Sequence, residues 1–232
     1  MKLIKLNPNQ RWAVISDLHI GHGYESTSRI KEILDENEFI IFCGDIFELF
    51  VNKWGNLKNE KGAWLLQWMR ENPSRFSYIV GNHDADLWDE KLEFPIYDTV
   101  KVTQSKKTFL CIHGHQFDKM NRHRTNPWGR FVTKVESFVS RLFRVNIQNF
   151  LVKRLKIGII NRFMRRIQIL EIRSVSMQYA KMGGCDYLIH GHSHFRSTTT
   201  TNDFSIIDIG GFMIGESYLV VENGLPEVKI IK

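Results

Sequence analysis

Short apolar runs recur along the chain at Trp12–Ser16, Phe39–Phe42, Phe76–Val80, Thr108–Ile112, Tyr187–His190, Ser205–Ile209 and Tyr218–Glu222. Their length and content of β-branched and aromatic residues predict β-strands. Thr27–Asn37 and Glu60–Glu71 are helical candidates between the early runs, so the first half reads β-α-β-α-β. The last third has strand runs with no clear helix between them, and Gly210-Gly211 and Asn223-Gly224 supply turns. That predicts a second sheet rich in hairpins. No internal repeat or low-complexity linker interrupts the 232 residues, so we expect one α/β domain over 1–232.

A different pattern lies near 119–175. Phe131, Val132, Val135, Phe138, Val139, Leu142 and Phe143 follow helical spacing, as do Ile160, Phe163, Met164, Ile167 and Leu170. Between Lys119 and Val175 there are 14 Lys/Arg and only two acids, a local +12 that leaves −5 for the rest of a chain whose net charge is +7. The segment reads as an inserted pair of basic amphipathic helices, lacking the acids that usually balance a solvated face. It suits an anionic partner: a phosphorylated substrate, an anionic membrane surface, or a nucleic acid backbone. No protein partner is implied.

Other features set boundaries. No apolar run approaches the ~20 residues that span a bilayer, and Trp12–Ile15 is too short for a signal-peptide core. Cys43, Cys111 and Cys185 are scattered and read as buried small hydrophobes, an odd count that fits a reducing compartment. We therefore expect a cytoplasmic protein able to lie at the inner membrane face.

The chemistry is concentrated in five short motifs: Asp17-Leu18-His19, Gly44-Asp45, Gly81-Asn82-His83-Asp84, His113-Gly114-His115 and Gly191-His192-Ser193-His194. Each follows an apolar run, where open α/β sheets place their sites. Asp17 and His19, two residues apart at a strand end, point to one side and can grip one ion together. Asp45 has two oxygens, one for each of two metals. Asn82 offers a neutral amide oxygen, His113 ends the fourth strand, and His192 and His194 form a second alternating pair. These seven side chains predict two divalent ions sharing Asp45. Mixed imidazole and carboxylate donors suit Mn(2+), Fe, Zn or Co better than Mg or Ca.

The ordered motifs resemble the calcineurin-like metallophosphoesterase superfamily from Asp17 to His194. The resemblance implies two mixed β-sheets in a sandwich flanked by helices, with the dinuclear site at the sheet edge. It implies that Asp17, His19, Asp45 and His194 hold one metal, and that Asp45, Asn82, His113 and His192 hold the other. His83 takes the place of the non-ligand histidine that assists the leaving group. Catalytic imidazoles need an orienting partner, so Asp84 is expected to support the loop that aims His83, with plain turn capping as the alternative. The stretch Gly44-Asp45-Ile46-Phe47-Glu48 and the helical insertion are similar to the UDP-2,3-diacylglucosamine hydrolase group. Members of that group cleave a nucleotide pyrophosphate bond in lipid A synthesis. Two positions depart from it: His83 stands where classical members have Arg, and His115 where they have Asp. The expected function is hydrolysis of a phosphoester or pyrophosphate bond, with a nuclease or nucleotide phosphodiesterase as the alternative and a non-catalytic scaffold as the outlier. His115, Arg122 and Arg124 are candidate substrate contacts, with Asp118 and Asn121 beside them.

Overall fold

The computed structural model describes residues 1–22, 27–118, 159–212 and 217–230, together with Phe131, Lys134 and Val135. In chain order its elements are β1 (Lys2–Lys5), β2 (Trp12–Ile15), α1 (Thr27–Glu36), β3 (Phe39–Cys43), α2 (Trp54–Asn59), α3 (Ala63–Glu71), β4 (Phe76–Ile79), β5 (Ile96–Tyr97) and β6 (Thr99–Gln104). Then come β7 (Lys107–Ile112), α4 (Ile159–Gly183), β8 (Tyr187–His190), β9 (Ser197–Thr200), β10 (Ser205–Asp208), β11 (Ser217–Glu222) and β12 (Leu225–Ile230).

The strands form two mixed six-stranded sheets, ordered β12-β11-β2-β3-β4-β5 and β1-β6-β7-β8-β10-β9. All four residues of β2 are buried because both faces of its sheet are covered. Trp12 and Val14 point between the sheets, where they meet Ile41, Phe109, Ile189 and Leu219. Ala13 and Ile15 point the other way, into the layer formed with Ile30, Leu34, Leu65 and Met69 of α1 and α3. The Trp12 indole N–H donates to Gln104 Oε1 at 3.0 Å, and its ring meets Phe109 edge-on at 5.2 Å. A buried indole thereby keeps a hydrogen-bond partner from the opposite sheet.

Three expectations change. The C-terminal hairpins do not build a sheet of their own: β11–β12 extends the first sheet through β2, while β9–β10 extends the second through β8. The second sheet is centred on β7 and β8, and its β6 was hidden by the alternating Thr-Val-Lys-Val-Thr-Gln sequence. The run Glu60–Glu71 becomes a helix only from Ala63, with α2 a separate short helix before it. Finally, α4 runs to Gly183, beyond the expected boundary near 175. The face it packs on the second sheet is Ile172, Val175, Tyr179 and Ala180, whereas Leu170 of the expected stripe is 62% exposed. The first expected basic helix lies almost wholly outside the described residues, as do the side chains of Ile160, Phe163, Met164 and Ile167.

Candidate metal centre

Parallel pairing of β2 with β3, β3 with β4, and β7 with β8 brings the loops after these strands to one end. Backbone bonds then lock loop to loop. Asp17 N–H donates to Gly44 O at 3.0 Å, His19 N–H to Asp45 O at 2.9 Å, and Gly191 N–H to His113 O at 2.9 Å. Asp17, His19, Asp45, His192 and His194 all adopt left-handed backbone, with φ between 48° and 69°. Such geometry costs a non-glycine residue on the order of 1–3 kcal/mol, and it concentrates where function demands it. Two glycines permit close approach. A Cβ on Gly81 would stand 2.1 Å from Asp45 Oδ1, and one on Gly191 would stand 2.5 Å from Asp17 Oδ2.

The side chains gather in two adjoining sets, Asp17 with His19 and His194, and Asp45 with His113 and His192. Within each set the donor atoms lie within 4.8 Å of one another. Ser16 Oγ and the His192 N–H donate to Asp17 Oδ2, which leaves Oδ1 over. His83 N–H donates to Asp45 Oδ1 at 2.7 Å, and Asp45 Oδ2 lies 3.2 Å from His113 Nε2. Asn82 is buried in the same loop. Among the described residues, Asp17 Oδ1, His19 Nε2, Asn82 Oδ1, His113 Nε2 and His194 Nδ1 are buried without a hydrogen-bond partner. Folded proteins rarely leave polar atoms this way. Unsatisfied buried N and O atoms on side chains gathered this closely suit a pair of borderline divalent cations, so the residues present fit the metal pair.

The electrostatics agree. Burial opposes ionisation of Asp45, but the His113 and His83 imidazoles outweigh it and hold the carboxyl well below its usual range. Burial likewise opposes a charge on His113, yet Asp45 pushes it up to about 10. With protein groups alone, the cluster draws positive charge inward. The outer nitrogens are anchored: His19 Nδ1 to Glu48 at 2.8 Å, His113 Nδ1–H to the Cys43 carbonyl at 2.9 Å, and His192 Nε2 to Asp118 at 3.1 Å.

His83 adjoins the first set, forming a third group with His19 and Glu48; its ring is 4.6 Å from that of His19 and its side chain is 19% exposed. Its Nδ1 lies 2.9 and 3.0 Å from the two Glu48 oxygens, and Phe50 stacks on its ring at 4.2 Å. Burial would depress His83, but Glu48 more than offsets it and raises it to about 9. Burial would raise Glu48, but His83 and His19 bring it down to about 2.

Asp84 braces the loop that carries His83. Its buried carboxylate accepts the Ile46 N–H, the Tyr78 hydroxyl and the Gly81 N–H at 2.9, 2.6 and 2.6 Å. It ties the β3 and β4 loops together, and the carboxylate that aims the His83 ring is Glu48. Asp118, expected near substrate, is instead buried behind His192. His115 is partly buried, its ring 5.4 Å from that of His113, and burial lowers it to about 3, so it stays neutral. Arg122 and Arg124 lie outside the described residues. Sequence reasoning missed Glu48, Phe50, Asp118 and Asp208 as supporting residues. The one available signal was a carboxylate three positions beyond Asp45, inside a motif already singled out.

Comparison with known proteins gives a consistent result. Yfce, a phosphoesterase from E. coli, aligns over 95% of this chain and 92% of its own, at 17% identity and a TM-score of 0.52. Vacuolar Protein Sorting 29 from Cryptosporidium parvum aligns over 95% and 96%, at 13% identity and a TM-score of 0.50. At such identities the likeness is one of fold. No curated protein matches the sequence. The family model described as calcineurin-like phosphoesterase matches residues 11–196, which contain every motif above, and the chain belongs to that family.

Proposed function

We propose that this protein is a dinuclear-metal hydrolase of phosphoester or pyrophosphate bonds, acting on a nucleotide-linked lipid of the UDP-2,3-diacylglucosamine type. The observation that carries the hydrolase reading is the set of five buried, unpartnered donor atoms on Asp17, His19, Asn82, His113 and His194. Two divalent cations bound there, Mn(2+) or a borderline relative, would supply Lewis acidity and an activated water for attack on phosphorus.

The chain's own residues do the rest. Asp17 and Asp45 balance only part of the cations' charge, so the centre stays attractive to a phosphate anion. Because Glu48 occupies His83 Nδ1, the ring presents Nε2 outward. Its partial exposure and raised protonation let that nitrogen donate to the departing oxygen. Phe50 and Glu48 hold the ring from two sides, which keeps the donor aimed.

Two features support the lipid-linked substrate: the Gly44-Asp45-Ile46-Phe47-Glu48 stretch and the basic, apolar-striped segment near 119–175. Among the described residues no helix is long and apolar enough to cross a membrane. Contact with an anionic inner membrane face through the basic segment is part of the same proposal. The test is an activity panel in Mn(2+) with bis-p-nitrophenyl phosphate, p-nitrophenyl phosphate, UDP-diacylglucosamine and single-stranded DNA. Turnover of the UDP-lipid, lost in Phe138→Asp, is the expected result. Turnover of DNA alone would replace this reading with a nuclease, and turnover of the monoester alone would overturn the pyrophosphate preference. No turnover by protein shown to carry two cations would leave a non-catalytic scaffold.

A further inference from the structure

We propose that Asp118 is the positioning residue of His192, fixing the ring so that Nδ1 faces the second cation. This rests on the dinuclear reading above and adds to it a residue that none of the five motifs contains.

The fold delivers Asp118 to that place by a short, well-anchored route. Strands β7 and β8 are parallel neighbours, so the loops bearing His113 and His192 run side by side. Gly114, at φ 110°, turns the chain into a single 3-10 turn over His115–Phe117. Phe117 is buried, edge-on to Tyr179 of α4 at 5.4 Å and to His190 at 5.6 Å, which pins that turn. The next residue is Asp118, whose N–H closes on the His115 carbonyl at 3.1 Å and whose Oδ2 lies 3.1 Å from His192 Nε2.

A neutral imidazole has one N–H and one lone pair. A buried carboxylate at Nε2 holds the proton there, which leaves the lone pair on Nδ1. At His19 and His113 the arrangement is reversed: Glu48 and the Cys43 carbonyl engage Nδ1, and Nε2 is the nitrogen left facing the cluster, that of His113 3.2 Å from Asp45 Oδ2. The His192 backbone is fixed as well, its N–H donating to Asp17 Oδ2 at 3.1 Å. Only the ring's rotation and tautomer remain to be set, and Asp118 sets both.

The experiment uses the full chain with Asp118→Ala, Asp118→Asn and His192→Ala. Mn(2+) binding is measured by calorimetric titration, and Co(2+)-loaded protein by visible absorption. Asp118→Ala should weaken one of the two cations by about 10–100-fold and shift part of the Co(2+) spectrum, with the other cation unchanged. Asp118→Asn should recover part of that loss, because its amide oxygen still accepts the N–H. Wild-type affinity and spectrum in Asp118→Ala, while His192→Ala loses one cation, would overturn the proposal, as would equal weakening of both cations. Two cations retained in His192→Ala would sink the dinuclear reading itself, and the proposal with it. Should Asp118→Ala fail to fold, Asp118→Asn decides: a several-fold weaker second cation supports the proposal and wild-type binding ends it.

Discussion

Glu48 is buried between the Nδ1 atoms of His19 and His83, so its removal releases a metal-ligand candidate and the proposed proton donor together. Glu48→Ala should therefore lower both cation content and kcat. His83→Ala should lower kcat by about 10²–10⁴-fold with two cations still bound, because His83 supplies only the proton. Elemental analysis beside steady-state kinetics separates the two, and normal cation content in Glu48→Ala would refute the shared role. The candidate metal ligands stood out in the sequence because each sits inside a short motif after an apolar run. Glu48's work was not, because its partners lie 29 and 35 residues away and only the fold joins them. Asp208 was illegible for the same reason: it accepts the Ser193 hydroxyl at 2.5 Å and the Gly210 N–H at 3.1 Å, fastening the loops after β8 and β10. Burial raises its carboxyl well above the usual range, so in the metal-free protein the unfolded chain ionises first. Stability tied to Asp208 is thus fully present below about pH 4 and is lost as pH rises toward its folded value. Urea unfolding of the chelated protein between pH 5 and 7 should show Asp208→Asn gaining on wild type by up to about 1.4 kcal/mol per pH unit. A pH-independent difference would show that Asp208 is charged in the fold.

Loops that converge need room for backbone to pass close to carboxylates, and the glycines of the motifs provide it. Gly81→Ala would drive a methyl group against Asp45, so it should release cations and reduce activity more than it lowers the melting temperature. Gly55, in α2, has nothing within 4 Å of its Cβ position, and Gly55→Ala should stabilise by roughly 0.5–1 kcal/mol without touching activity. Thermal melts with parallel metal analysis test the pair; equal metal content in Gly81→Ala and wild type would dismiss the crowding argument. At this scale the sequence revealed the central strands, whose apolar runs are continuous because both faces are covered. It hid β1, β5, β6, β9 and β12, all at sheet edges or beside them, where polar residues intervene and pairing is decided by a distant strand. It also hid the split of the two C-terminal hairpins, since a turn signal fixes which strands pair locally but not which sheet they join.

For the molecule as a whole, unsatisfied buried donors and left-handed backbone at the candidate ligands sit at one end of the two sheets, and both weigh against the metal-free fold. Cations that bind only the folded chain must stabilise it by mass action, by about 2.7 kcal/mol at a concentration 100 times Kd. Chelation should therefore lower Tm, and added Mn(2+) should raise it progressively with concentration rather than in one step. Asp45→Asn provides the control, because it removes the carboxylate that the two cations are expected to share. That variant should start from a lower metal-free Tm than wild type, since His113 loses the buried carboxylate it pairs with, and should respond weakly to Mn(2+). Wild-type melts that ignore both chelator and Mn(2+) would mean that the strained, half-satisfied cluster is stable by itself, and the case for a metal centre would fall with that result. A normal Mn(2+) response in Asp45→Asn would be narrower in effect: cations would bind, but Asp45 would not be the residue they share.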